Sequence, residues 1–271
     1  MLHALLFFVA LALIASLILN CSVLNHLRHF KRPIIDIKNN IFYLHRHFIG
    51  DDCITSCRGV QFFVPNFLED ILQGTLVATG NFHEIAILEQ LDSILPDQAV
   101  IFDLGANIGN HSLYWAKKRN ARKVYAFEPV RETYKIFEKN IQLNCAEEII
   151  AAHNVAVSDC RENLCIKSFS AENIGGTSLE KSALGDIQAI DLDHFQFPEK
   201  NVDLVKIDIE GFECHALRGA TTFFKNYSPK FVFIEALTCR NRRFVRHFLR
   251  HLGYTLRQTF PGHNFLYQLD K

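Results

Sequence analysis

The chain has no net charge to offer a polyanion: Lys+Arg and Asp+Glu each number 29 in 271 residues. A global electrostatic pull toward nucleic acid is therefore missing, and no nucleic-acid partner is expected. Paired Cys-x-x-Cys motifs are missing too. Of the eight cysteines, Cys53 and Cys57 flank three residues and Cys160 and Cys165 flank four, with no histidine nearby at zinc-finger spacing. That excludes a structural zinc site, and no obligatory metal is expected. A chain this long builds its core without staples, so reduced thiols are expected rather than a disulfide framework. Repeats and low-complexity segments are also absent.

No lysine or arginine precedes the first apolar run. Leu2 to Leu19 is apolar except at His3 and Ser16. At roughly 1.5 Å per residue, such a helix just reaches across a bilayer core of about 30 Å. It has no polar face for a soluble surface helix and no basic start for a cleaved signal. Arg28, Lys31 and Arg32 follow it, which places its C-terminal side in the cytoplasm. The expectation is a single-pass membrane protein with residues 1–20 as transmembrane anchor and its folded domain in the cytoplasm. A signal-like sequence or a peripheral helix stays open as an alternative. Residues 21–79 read as a juxtamembrane and N-terminal extension, with short strands at Ile34–Ile37, Ile41–His45 and Phe62–Val64. Residues 80–271 read as one α/β domain.

From about Gly80, strand and helix patterns alternate, the signature of a doubly wound, mostly parallel sheet. Strands are predicted at Val100–Leu104, Lys123–Phe127, Asn154–Val157, Val202–Ile207 and Lys230–Ile234. Two further strand-like pieces fall within residues 160–192. Helices are predicted at Phe82–Leu95, Asn110–Arg119, Arg131–Leu143, Cys214–Phe224 and Arg240–Leu252. Tyr254–Gln258 and Asn264–Leu269 form a terminal antiparallel hairpin across Pro261–Gly262.

The first strand runs into Asp103-Leu-Gly105-Ala106-Asn107-Ile-Gly109-Asn110. Strand, tight glycine turn and helix bring backbone close to a ligand. Asp103 would repel a pyrophosphate but suits the cationic amino group of an amino acid, as carried by S-adenosylmethionine. Glu128, followed by Pro129, ends the second strand about 20 residues past the glycines, where an acidic side chain meets ribose hydroxyls.

These segments, with Lys206-Ile-Asp-Ile-Glu-Gly-Phe-Glu213, Leu217-Arg-Gly-Ala220 and Asn173-Ile-Gly-Gly-Thr-Ser178, resemble the FkbM family of S-adenosylmethionine-dependent methyltransferases. The resemblance runs from about Gly80 to Tyr254. It implies a class I Rossmann-like methyltransferase fold and methyl transfer to hydroxyl oxygens of natural products or sugars. Together with the apolar run Leu2–Leu19, the expectation is an O-methyltransferase acting on a glycan, lipid-linked or small-molecule acceptor. Cofactor contacts are expected from Asp103, Gly105, Ala106, Asn107, Gly109, Asn110, Glu128, Pro129 and Asp208. The middle glycine of the broader methyltransferase Gly-x-Gly-x-Gly turn is Asn107 here, as is usual for the family it resembles.

Ligands of open α/β sheets bind beyond the carboxyl ends of the strands. Asp208 and Glu210 alternate with apolar residues at the end of the fourth strand, and Glu235 ends the fifth. A hydroxyl acceptor must lose its proton, so Asp208 is the first candidate base, with Glu235 and Glu210 beside it. His215 and His263 stand behind them. Asn173–Ser178 reads either as a loop over the site or as a surface turn. Arg242, Arg243, Arg246 and Arg250 form either a solvated helix face or a contact for anionic lipid or a phosphorylated acceptor. Other readings are an N- or protein-directed methyltransferase, a dinucleotide-dependent oxidoreductase and a catalytically silent membrane-bound scaffold.

Overall fold

The computed structural model describes residues 52–270. The predicted anchor and the strands Ile34–Ile37 and Ile41–His45 lie outside the described residues. Among the described residues, no helix is long and apolar enough to cross a membrane.

The extension contributes a two-stranded sheet, β1 (Ile54–Cys57) and β2 (Val60–Phe63), then helices α1 (Ile71–Thr79) and α2 (Ile85–Asp92). Two asparagines of a later helix hold β2. Asn144 Oδ1 accepts from Gln61 N at 2.9 Å and Asn140 Oδ1 from Phe63 N at 2.6 Å. Residues 55–79 thus belong to the same compact unit as the rest of the domain. Asp70 starts α1 by accepting from Gln73 N, which satisfies one of the helix's orphan donors.

The central elements follow in order: β3 (Val100–Leu104), α3 (Asn110–Lys117), β4 (Lys123–Phe127), α4 (Arg131–Leu143) and β5 (Ile150–His153). A smaller sheet holds β6 (Ala156–Val157), β7 (Glu162–Ser168), β8 (Ser178–Lys181) and β9 (Ile187–Ile190), ordered β6-β9-β7-β8. Next come β10 (Leu204–Ile207), α5 (Glu213–Arg218), α6 (Thr221–Tyr227), β11 (Phe231–Glu235) and α7 (Cys239–His251). The antiparallel pair β12 (Tyr254–Phe260) and β13 (Asn264–Leu269) closes the chain.

The main sheet is ordered β12-β13-β11-β10-β3-β4-β5. The five strands from β11 to β5 are parallel, and β13 runs antiparallel against β11. This is the Rossmann-like methyltransferase arrangement, with the expected C-terminal hairpin. Strand order reverses at β3 and β10, so their carboxyl ends open a crevice there.

The sequence holds 24 phenylalanines, and part of that number has a packing explanation. Phe102, fully buried on β3, has the rings of Tyr125, Phe197 and Phe223 each at 5.0 Å between centroids. Such edge and tilted contacts add to the apolar area removed from water.

Three expectations change. The third strand of the main sheet is Ile150–His153, whose Ile-Ala-Ala-His is too short and too small to read as an apolar run. Within the predicted Asn154–Val157, only Ala156–Val157 is strand, and it belongs to the smaller sheet. The predicted helix Cys214–Phe224 is broken into α5 and α6 at Gly219. A Cβ there would stand 2.1 Å from the Ser158 carbonyl oxygen, so the chain passes too close for any side chain. The region 160–192 holds three strands rather than two.

Candidate active site

A cleft opens where β3, β4 and β10 end. Gly105, Ala106, Asn107, Glu128 and Pro129 line one side; Asp208, Glu210 and Glu235 line another. The turn after β3 is built backbone to backbone: Gly105 N and Ala106 N both donate to the Phe127 carbonyl. Gly105 has φ +84, and a Cβ on it would collide with the Asp208 carbonyl at 1.8 Å. Only glycine lets the β3 turn and the end of β10 approach this closely.

Glu128 is buried, and both its carboxylate oxygens are pinned. Oε2 accepts from Asn107 N at 2.9 Å and Oε1 from Val130 N at 2.8 Å. Burial pushes its pKa up to about 7, although the two backbone donors pull it down. Asn107 sits in the left-handed region, with φ +51, to present that N–H.

Two of the expected contact residues do not line the cleft. Asp103 is fully buried and does not line the cleft. It pairs with Lys206 Nζ at 3.1 Å and accepts from Ser112 Oγ at 2.5 Å. Its carboxylate is thus engaged by Lys206 and Ser112 beneath the turn. Burial works against the charge on Lys206, but Asp103 and Asp208 outweigh it and raise its pKa. Gly109 is also off the cleft. It has φ +89, and a Cβ there would press into the Phe137 ring at 2.3 Å, so this glycine serves packing. Asn110 does line the cleft, but its amide is spent on His83, accepting from N and donating to O, each at 3.0 Å.

The acceptor side is acidic. Asp208, Glu210 and Glu235 each offer an oxygen, all within 4.8 Å of one another, a spacing that can also hold a cation. Lys206 Nζ lies 3.7 Å from Asp208. Burial, then Asp208 and Glu213, push Glu210 up to about 7. Burial, then Asp208 and Glu210, push Glu235 up to about 8. Glu210 also has φ +48, a strained setting for a side chain with a Cβ.

Sequence reasoning missed a third wall. His83, Glu84 and His111 line the cleft from the start of α2 and from α3. His111 Nε2 lies 3.4 Å from Glu84 Oε2, and that partnership pulls Glu84 down to about 2. Burial lowers the pKa of His83. No motif marks these residues; the Asn110–His83 bonds bring His83 and Glu84 here, and His111 follows Asn110 on α3. Asn173, Ile174, Gly175 and Thr177 also line the cleft, so this loop is more than a surface turn. A Cβ on Gly175 would come 2.8 Å from Asn107 Nδ2. Of the weaker candidates, His215 pairs with Asp159 at 2.9 Å, and neither it nor His263 lines the cleft. The described cysteines Cys57, Cys145, Cys160, Cys165, Cys214 and Cys239 are thiols.

The fold and cleft define a Rossmann-like protein of the methyltransferase class. Residues 103–256 match the family described as the methyltransferase FkbM domain, and the chain belongs to that family. It is 25% identical over 148 residues to Methyltransferase 1 of Beauveria bassiana, covering 46% of this chain and 59% of that protein. It is 29% identical over 140 residues to the hexuronic acid methyltransferase AglP of Haloferax volcanii, covering 50% and 55%. The chain thus spans somewhat over half the length of these relatives. A solved FkbM methyltransferase from Methylobacillus flagellatus has a TM-score of 0.44 and 20% identity, over 75% of this chain and 55% of that one.

Proposed function

We propose that the chain transfers the methyl group of S-adenosylmethionine to a hydroxyl oxygen, on a glycan, lipid-linked or small-molecule acceptor. The observation that carries this reading is the charge of the cleft. Its described lining holds Glu84, Glu128, Asp208, Glu210 and Glu235 but no arginine, and its lysine, Lys206, is engaged by Asp103 and Asp208. This many carboxylates, with no free lysine or arginine beside them in the described lining, disfavour a pyrophosphate and argue against the dinucleotide reading. A cofactor bearing a sulfonium and an ammonium suits carboxylate walls.

Glu128 would hold the ribose hydroxyls with the acceptor capacity its two backbone bonds leave over. Gly105–Asn107 would bring backbone against the cofactor's amino-acid end. The cofactor supplies an activated methyl group; the protein's part is to align an acceptor oxygen with it and remove a proton. A base is most effective when its pKa lies near the working pH. Glu235, near 8, and Glu210, near 7, suit that role, and Asp208 positions the acceptor beside them.

An amine acceptor is the second reading, because the same carboxylates would hold an ammonium. That AglP is named a hexuronic acid methyltransferase supports a sugar acceptor. The membrane anchor stays part of the proposal, resting on the apolar run Leu2–Leu19 alone. Calorimetric titration with S-adenosylmethionine and with NAD tests the cofactor; binding of NAD alone would sink the reading. Incubating extracts with methyl-labelled cofactor and identifying the labelled atom separates oxygen from nitrogen. No labelled product with any fraction would favour a silent scaffold.

A further inference from the structure

Helix α7 carries five arginines and two histidines in Cys239–His251 and no acidic residue. Val245 and Leu249 are buried against the core, and each fully buried aliphatic side chain contributes on the order of 1.5–3 kcal/mol. The opposite stripe is exposed: Arg240, Arg243, Arg246, His247 and Arg250, at helical spacing of three and four. Exposed Arg218 of α5 joins them, its guanidinium 4.7 Å from the Phe244 ring centroid. These side chains line one shallow depression that no Asp or Glu enters.

Two features set this apart from an ordinary solvated face. Among the described residues, Arg240, Arg243 and Arg250 join no ion pair, although such pairs are common along exposed helices. Arg240 also stands in the first turn, where the helix dipole favours acids, and that turn has none. The charge of Arg240 therefore opposes helix stability at this end.

We propose that this arginine stripe docks the domain on an anionic lipid surface. Lipid fits better than nucleic acid for three reasons. The rings in the patch are only half-exposed: Phe244 stacks on Phe248, which packs edge-on against Phe224, leaving no free face for a base. Leu237, 43% exposed and two residues ahead of α7, adds an exposed apolar side chain before its first turn. The sequence also carries the apolar run Leu2–Leu19 followed by Arg28, Lys31 and Arg32, which suits a chain held at a bilayer. The first turn of α7 is tied toward the cleft: Asn241 Nδ2 donates to Glu213 Oε2 at 3.1 Å, and Gly211 N, between the cleft residues Glu210 and Phe212, donates to the same carboxylate. Docking there would set the cleft mouth close to a lipid-borne acceptor. The proposal does not depend on the methyl-transfer reading.

The test uses the full-length protein, reconstituted into vesicles of phosphatidylcholine alone or with phosphatidylserine. Amide hydrogen exchange over residues 239–251 is the readout, so that anchoring by any other segment does not mask the result. Slower exchange on the anionic vesicles, reversed by high salt, is expected. Arg243→Gln should reduce the protection, and Arg240→Gln/Arg243→Gln/Arg250→Gln should abolish it, at about fivefold in surface affinity per arginine. These variants leave the Val245–Leu249 face intact, and unchanged exchange of β10 and β11 reports that they fold. Equal exchange on the two vesicle types overturns the proposal. So does protection by a single-stranded RNA oligomer without protection by anionic vesicles.

Discussion

Lys206 and Asp103 form a buried ion pair, Nζ to Oδ1 at 3.1 Å, with exposures of 3% and 0%. Lys206 Nζ also donates to the Gly105 carbonyl at 2.6 Å, so one ammonium ties β10 to the β3 turn. Removing one partner of such a pair leaves a buried charge and costs about 3–5 kcal/mol. Lys206→Met should therefore lower the urea midpoint sharply. Lys206→Met/Asp103→Asn should recover part of the loss, because both charges then leave together. Equal stability of the single and double variants would contradict the pairing.

Gly109 and Gly211 offer a matched comparison. Both have positive φ, +89 and +103, but a Cβ at Gly109 strikes Phe137 while one at Gly211 meets nothing within 4 Å. Gly211→Ala should cost only the left-handed backbone strain, about 1–2 kcal/mol. Gly109→Ala should cost that plus overpacking of roughly 1–3 kcal/mol more. Thermal unfolding of the two variants measures the difference; a larger loss at Gly211 would refute the packing role.

The elements most legible in the sequence were those with dense apolar runs and clear stops. Val100–Leu104 and Lys123–Phe127 are strands with those bounds, and Arg131–Leu143 is a helix with those bounds. Ile150–His153 was illegible because pairing with β4, not its own pattern, makes it a strand. The site divides the same way. Glu128, Asp208, Glu210 and Glu235 were readable because they sit at strand ends, which topology places at the crevice. The position of Asp103 at the end of β3 was readable, but not its burial, since the sequence does not announce that Lys206, 103 residues away, pairs with it. His83 and Glu84 carry no local signature and are brought to the cleft by the tertiary contact of Asn110 with His83, whereas His111 sits there because it follows Asn110 on α3.

Glu235 and Glu210 give the protein a pH signature. Their folded pKa values, about 8 and about 7, lie above the ordinary value of 4.5. The folded state thus holds protons that the unfolded state releases. Their stabilising effect is fully present below about pH 4.5 and is lost as pH rises toward 8. Glu235→Gln should flatten that decline between about pH 4.5 and 8 in urea titrations. If Glu235 is the base, turnover of the wild type should climb through the same interval, and the variant should lose both the climb and about 10²–10⁴-fold in rate. Full turnover in Glu235→Gln would remove it as the base and leave Asp208 or Glu210.

Glu128 is held by two backbone donors, Asn107 N and Val130 N, and a glutamine can accept from only one of them through its carbonyl. Glu128→Gln would turn an amide N–H₂ toward the other N–H inside a buried site. The unpaired donor should cost about 1–3 kcal/mol and loosen the turn that presents Gly105–Asn107. Calorimetry should show S-adenosylmethionine binding weakened by at least tenfold. Unchanged affinity would remove Glu128 from the cofactor site.

Asp70 links the extension to the loop over the cleft, and it is 2% exposed. One carboxylate oxygen caps α1 through Gln73 N at 2.9 Å; the other accepts from Ile174 N at 2.9 Å. Ile71 N adds a bond to the Glu172 carbonyl at 3.0 Å. The loop is therefore strapped by residues preceding Gly80, which the family match does not include. Asp70→Ala should remove both bonds, costing about 1–2 kcal/mol for the cap alone and freeing residues 172–177. Asp70→Asn keeps one acceptor oxygen and should show an intermediate effect. The measurement is hydrogen exchange of residues 172–177 together with the KM for S-adenosylmethionine. Faster exchange with a raised KM marks the loop as a wall of the ligand site, whereas faster exchange with an unchanged KM confines Asp70 to folding.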